Sequence, residues 1–160
     1  MRTLNILFVC TGNTCRSAMA EAAARGMIAQ QPEEYKDVQV TSAGVMCAGP
    51  SPASPQAIVV AAEHGCDLSQ FTAKQVTPEL LEAADYVFAM TRSHKQMLEY
   101  AMPQCSGKVF LLTAYAAGDP AAPDIPDPYG GSVAEYDACF AVLQENVAAV
   151  LEKIKKSNAE

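Results

Sequence analysis

No apolar run in these 160 residues approaches the roughly eighteen that a membrane span needs. Met1 to Cys10 holds one Arg and a short apolar stretch but no cleavage-site pattern, so no secretory signal is expected. Positive charge is scarce: 11 Lys plus Arg stand against 18 Asp plus Glu, a formal net charge of -7. Without a basic block, nucleic acid bound through its backbone is a poor partner. Any anionic ligand must be drawn by a local site working against the overall field. C-x-x-C pairs of the kind zinc sites use are missing, and His64-Gly65-Cys66 reads as loop and core, so no metal is expected. The six cysteines, at 10, 15, 47, 66, 105 and 139, are scattered through an apolar chain, which fits reduced thiols in a cytoplasmic protein better than a disulfide framework. With no internal repeat and no shift of composition, one domain over residues 1–160 is expected.

What the chain does have is apolar substance. Half of it is hydrophobic and 18% is charged, enough to bury a sizeable core. Four short runs rich in Val, Phe and Tyr read as strands: Ile6 to Val9, Val38 to Val40, Tyr86 to Met90 and Val109 to Leu112. Helical spacing lies between them, at Ala18 to Gln30, Pro55 to His64, Pro78 to Ala84 after the N-cap Thr77, and Ser93 to Met102. Val133, Tyr136, Phe140, Leu143, Val147, Val150 and Ile154 mark a last helix, with Lys153, Lys155 and Lys156 read as its solvated end. His64 reads as a helix end, and His94 as part of a polar helix face beside Lys95. Alternating strands and helices predict an α/β fold, a parallel sheet with helices on both faces, and chemistry beyond the carboxyl ends of the strands.

The loop after the first strand reads Cys10-Thr11-Gly12-Asn13-Thr14-Cys15-Arg16-Ser17. A tight loop of small and polar residues running into a helix start gathers backbone N–H groups around an anion. Gly12 gives the loop conformational freedom. Arg16 adds a planar fork matched to two phosphate oxygens. A thiol at Cys10 inside such a cradle ionises readily, with the Ser17 hydroxyl as donor to the sulfur. A thiolate beneath a phosphoryl group is placed for in-line attack. A leaving group then needs a proton, and carboxylates at Asp119, Asp124 and Asp127 lie on one Pro-rich stretch; spacing alone does not choose among them.

Val9 to Ser17 resembles the signature of the low-molecular-weight protein-tyrosine phosphatases. Thr41-Ser42-Ala43-Gly44, Ala84 to Met90 and Asp127-Pro128-Tyr129-Gly130 continue the resemblance in order along almost the whole chain. It implies a four-stranded parallel sheet in three layers and no metal or organic cofactor. It implies Cys10, Arg16 and Asp127 as catalytic residues, with Asp119 and Asp124 left as solvated loop carboxylates. Backbone N–H groups of Thr11 through Cys15 would hold phosphate, Asn13 would brace the loop, and Ser42 and Tyr129 would complete the binding set. A reversible Cys10–Cys15 disulfide would shield the nucleophile. The implied partners are a phosphorylated protein, and inorganic phosphate or other oxyanions in the loop.

Thr14 is polar where many tyrosine-specific members carry an aliphatic residue, Tyr129 is followed by glycine rather than a second tyrosine, and Ala43 to Ser54 offers no aromatic wall. These features resemble the bacterial protein-arginine phosphatase branch and favour phosphoarginine over phosphotyrosine. Thr14 as a helix cap and Gly130-Gly131 as plain turn formers are the structural alternatives. Arsenate reduction would need relay cysteines on the segment Phe88 to Met97, which has none; Cys105 lies beyond it, alone. A non-catalytic phosphate-binding module would need no nucleophile paired with an acid.

Overall fold

Strand β1, Leu4–Cys10, is apolar on both faces: Ile6 and Phe8 point to one side, Leu7 and Val9 to the other, and none is more than 1% exposed. A strand of that kind belongs at the centre of a covered sheet. In the computed structural model, which describes residues 3–159, it pairs in parallel with β2, Val38–Gly44, and with β3, Tyr86–Ala89. Strand β4, Val109–Leu111, pairs with β3 and completes the order β2-β1-β3-β4. This is the four-stranded parallel sheet expected from the sequence. Met1, Arg2 and Glu160 of the expected domain lie outside the described residues. From β1 the chain steps one way to β2 and then crosses to β3 on the other side. The carboxyl end of β1 is therefore the point where strand order reverses and a crevice opens.

Among the described residues six α-helices cover the sheet: α1 (Arg16–Gln30), α2 (Pro55–Glu63), α3 (Pro78–Ala83), α4 (Arg92–Ala101), α5 (Leu112–Ala117) and α6 (Val133–Ala159). Helices α1, α2, α5 and α6 pack on the Ile6 and Phe8 face, and α3 and α4 on the Leu7 and Val9 face. On α6, Tyr136, Phe140, Leu143, Val147, Val150 and Ile154 are fully buried in the predicted period, each worth about 1.5–3 kcal/mol. Val133, one turn before them, is exposed. Residues 16–24 of α1 are all buried, so the start of this helix is core and loop support at once.

Three departures from the sequence reading have physical causes. Strand β2 runs on to Gly44, because its small residues Ser42, Ala43 and Gly44 are held in register by Phe8, Val9 and Cys10. Helix α5, and a 3-10 turn over Pro103–Lys108, are too short to show a period. The Lys-rich end of α6 is tied down rather than free: Lys153 donates to the Tyr115 carbonyl at 2.7 Å, and Lys155 pairs with Glu34 at 2.8 Å. His64 does end α2, as its C-cap. Among the described residues no helix is long and apolar enough to cross a membrane.

Candidate active site

The loop between β1 and α1 owes its shape to what lies outside it. Val45 N donates to the Cys10 carbonyl, Met46 N to that of Thr11 and Ser54 N to that of Thr14, each at 2.9 Å. In a trans peptide the following N–H points opposite to the carbonyl, and no peptide here is cis. Anchoring these three carbonyls outward therefore turns the N–H groups of Thr11, Gly12 and Cys15 inward. Cys15 is the N-cap of α1 and makes no side-chain capping bond, so the positive end of the helix is left open toward the same space. Asn13 adopts φ 60°, a left-handed conformation that Asn tolerates better than most residues. It is fully buried.

Behind the loop, a chain of hydrogen bonds fixes which way each proton points. Lys74 N donates to Asn13 Oδ1 at 3.0 Å, which sets the orientation of that amide. Its Nδ2 then donates to Ser17 Oγ at 2.8 Å and to Ser42 Oγ at 2.9 Å. Ser42 sends its own hydrogen to Glu21 Oε1 at 2.8 Å. Ser17, already an acceptor, has its single hydrogen left for Cys10 Sγ, 2.9 Å away. The sulfur thus receives a hydrogen bond from Ser17.

A cavity of about 310 Å³ opens over the sulfur. Cys10, Thr11, Gly12, Thr14, Cys15 and Arg16 form its floor and sides, and Asp127 and Tyr129 its rim, so eight of the eleven residues singled out from sequence line it. Asn13, Ser17 and Ser42 stand behind the floor and act on it through hydrogen bonds. The buried Arg16 donates from Nη1 to the Ile125 carbonyl at 2.9 Å and approaches Asp127 Oδ2 with Nη2 at 3.4 Å. Its buried Nε has no hydrogen-bond partner among the described residues. Asp127 is half-exposed, and its Oδ1 accepts from Tyr129 N at 3.1 Å. Of the three candidate carboxylates only Asp127 reaches the cavity. Asp119 caps its own turn through Ala121 N, whereas Asp124, expected to be solvated, is bound to Arg92 at 3.0 Å.

Thr14 does not cap α1; its hydroxyl lies 3.7 Å from Cys15 Sγ, and the residue lines the cavity. The two glycines after Tyr129 have backbone reasons of their own. Gly130 has φ 81°, and a Cβ on Gly131 would stand 2.8 Å from the Pro128 carbonyl. Cys15 Sγ is met by Ser54 Oγ at 3.0 Å and by Tyr136 Oη at 3.1 Å. Burial, with this contact to Cys15 next, pushes the Tyr136 phenol up to about 12. All six cysteines are free thiols. Cys105 is buried in the α3/α4 core, away from the cavity, and burial raises its thiol. Among the described residues no group of three or more His, Cys, Asp or Glu is placed to hold a metal.

Sequence reasoning missed several contributors. Met46, Ala48 and Ser51 also line the cavity, from a stretch with no aromatic residue to mark it. His94 corrects the polar-face reading: it is buried, with Nε2 2.8 Å from Thr11 Oγ1. Burial, reinforced by the Arg16 charge, lowers its imidazole to about 4, so it is neutral at neutral pH. Its neighbours in sequence are polar, and only the sheet's geometry turns it inward.

The sequence model described as "Low molecular weight phosphotyrosine protein phosphatase" matches residues 5–160. A protein-arginine-phosphatase of Bacillus subtilis is 39% identical over 153 residues, 96% of this chain and 98% of its own. A probable low molecular weight protein-tyrosine-phosphatase, EpsP of Ralstonia solanacearum, is 35% identical over 94% of this chain and 95% of its own. Among solved structures, a mutant of the YwlE arginine phosphatase with a phosphorylated active-site serine superposes with a TM-score of 0.88 at 36% identity, covering 96% of this chain and 97% of that one.

Proposed function

This chain belongs to the low molecular weight phosphotyrosine protein phosphatase family and is a protein phosphatase, and from that premise we propose that it hydrolyses phosphoarginine in proteins through a phosphocysteine at Cys10. Cys10 Sγ attacks phosphorus in line; the P–S bond forms as the P–N bond to the guanidino group breaks. Asp127 gives its proton to the departing nitrogen, and the arginine side chain leaves carrying it. Water then attacks the phosphocysteine, passing a proton to the Asp127 carboxylate. The P–S bond breaks, inorganic phosphate leaves, and Cys10 returns as thiolate with Ser17 donating to it. Throughout, the inward N–H groups of the loop and the unpartnered Nε of Arg16 supply donors where charge collects on the non-bridging oxygens.

The observation behind phosphoarginine is Thr14 on the cavity wall. A hydroxyl there meets a guanidino N–H as acceptor, where a phenyl ring gains only from apolar contact. Met46, Ala48 and Ser51 bring no ring to the cavity, and the Asp127 carboxyl can accept a guanidino N–H on one oxygen while the other holds the proton for the departing nitrogen. The arginine-phosphatase relative supports the same choice. Phosphotyrosine is the second reading, favoured by the exposed ring of Tyr129 on the rim. Phosphate release from matched phosphoarginine and phosphotyrosine peptides separates the two. Phosphoarginine is expected to turn over preferentially, and Thr14→Ile to shift the ratio toward phosphotyrosine. Preferential phosphotyrosine turnover, unaltered by Thr14→Ile, would refute the arginine assignment. Cys10→Ser should bind substrate and lose turnover.

A further inference from the structure

The segment between α5 and α6 carries Asp127 but has neither helix nor strand. Pro120, Pro123, Pro126 and Pro128 remove four backbone donors from it, so its carbonyls depend on donors from elsewhere. The largest share comes from one residue. Arg92, first in α4, donates through its backbone N and its Nη1 to Asp124 Oδ1, both at 3.0 Å. Its Nη2 donates to the carbonyls of Pro120 at 2.8 Å and Ala122 at 2.6 Å. Past these contacts the segment is fastened by Thr113 to the Pro123 carbonyl, by Ile125 N to Met90, and by Arg16 to the Ile125 carbonyl. Among the described residues, Asp127 itself is held by Tyr129 N and the Arg16 contact. Arg92 does not line the cavity and takes no part in the steps above.

We propose that Arg92 is a positioning residue for the general acid: its guanidinium fork folds the proline-rich segment into the shape that sets Asp127 over the phosphate cradle. This rests on the reading of Asp127 as the acid. A lysine could not do the same, since a single ammonium on a flexible stem does not reproduce a planar fork spread over three acceptors. Arg92 and Asp124 are both nearly half exposed, and exposed pairs add little to stability. The effect of losing the fork falls on where the acid sits.

The test uses aryl phosphates that differ only in how badly the leaving phenol needs a proton. kcat/KM is measured on dinitrophenyl phosphate, a good leaving group, and phenyl phosphate, a poor one, for the wild type, Asp127→Asn, Arg92→Ala, Asp124→Ala and the Arg92→Ala/Asp127→Asn double variant. Arg92→Ala and Asp124→Ala are expected to lose about tenfold or more on the phenyl ester and less than about threefold on the dinitrophenyl ester, a smaller copy of the loss in Asp127→Asn. In the double variant Arg92→Ala should add almost nothing, because the group it positions is gone. Competitive inhibition by inorganic phosphate, which reports the cradle, should stay within about twofold in the single Arg92 and Asp124 variants. Equal losses on both esters for Arg92→Ala and Asp124→Ala, beside a selective loss for Asp127→Asn, overturn the positioning role and leave the acid assignment standing. Equal losses for Asp127→Asn overturn the acid assignment, and the role of Arg92 falls with it.

Discussion

Replacing Gly44 by alanine tests whether the phosphate-binding loop tolerates displacement. Gly44 ends β2 directly against the loop, and a Cβ there would stand 2.5 Å from the Thr11 carbonyl oxygen and 3.0 Å from both Asn13 N and Gly12 C. All three atoms are backbone, so no side chain can swing aside. Relief to ordinary contact at 3.4 Å moves Thr11 by about 0.9 Å, and misplacement on that scale costs around 100-fold in rate. The move has no free direction, because the Thr11 carbonyl is anchored by Met46 N and Gly44 N is itself bound to the Lys74 carbonyl. Overpacking of this kind also costs about 1–3 kcal/mol. For a chain of this length that lowers the melting temperature by roughly 2–12 °C. The assay is kcat/KM on an aryl phosphate, with inhibition by inorganic phosphate and thermal unfolding measured on the same preparation. Loss of turnover and weaker phosphate inhibition should appear together in a protein that still melts cooperatively. A Gly44→Ala protein with kcat/KM within about twofold of the wild type would refute the claim that the loop backbone is fixed to sub-ångström tolerance.

Two further outcomes follow from buried groups. His94, held neutral by burial and Arg16 against the opposing pull of Asp127 and Asp124, has its imidazole lowered from 6.5 to about 4, so the unfolded chain binds a proton in that window that the native state refuses. Stability is therefore lost as pH falls from 6.5 toward 4, by up to about 3 kcal/mol; urea unfolding should show this slope in the wild type and a shallower one in His94→Gln. Peroxide inactivation should be recovered with dithiothreitol through a Cys10–Cys15 disulfide, and Cys15→Ala should abolish the recovery; equal recovery in that variant would remove Cys15 from the process.

The cradle was legible because it is contiguous: strand, loop, Arg16 and helix start lie within Val9 to Ser17, and local backbone chemistry dictates their shape. Asp127 was legible only as one of three carboxylates until the family motif separated them. His94 and Arg92 were not, because α4 read by its own composition has a polar start, and nothing local reveals that the sheet aims His94 at Thr11 or that Arg92 meets a segment with too few donors of its own. Ser42, expected in the binding set, bonds Asn13 and Glu21 behind the cavity, a placement that depends on which face of β2 packs on α1. Met46, Ala48 and Ser51 were not legible, because the stretch that brings them to the cavity carries neither ring nor charge.

Met46 serves two masters: its amide secures Thr11 while its side chain shapes the entrance. Anyone retuning this enzyme for another phosphorylated residue therefore has latitude in what that side chain is and almost none in how long the 45–54 stretch is. An inserted residue there would slip the tethers at Cys10, Thr11 and Thr14 together, and selectivity would be bought with the loss of chemistry.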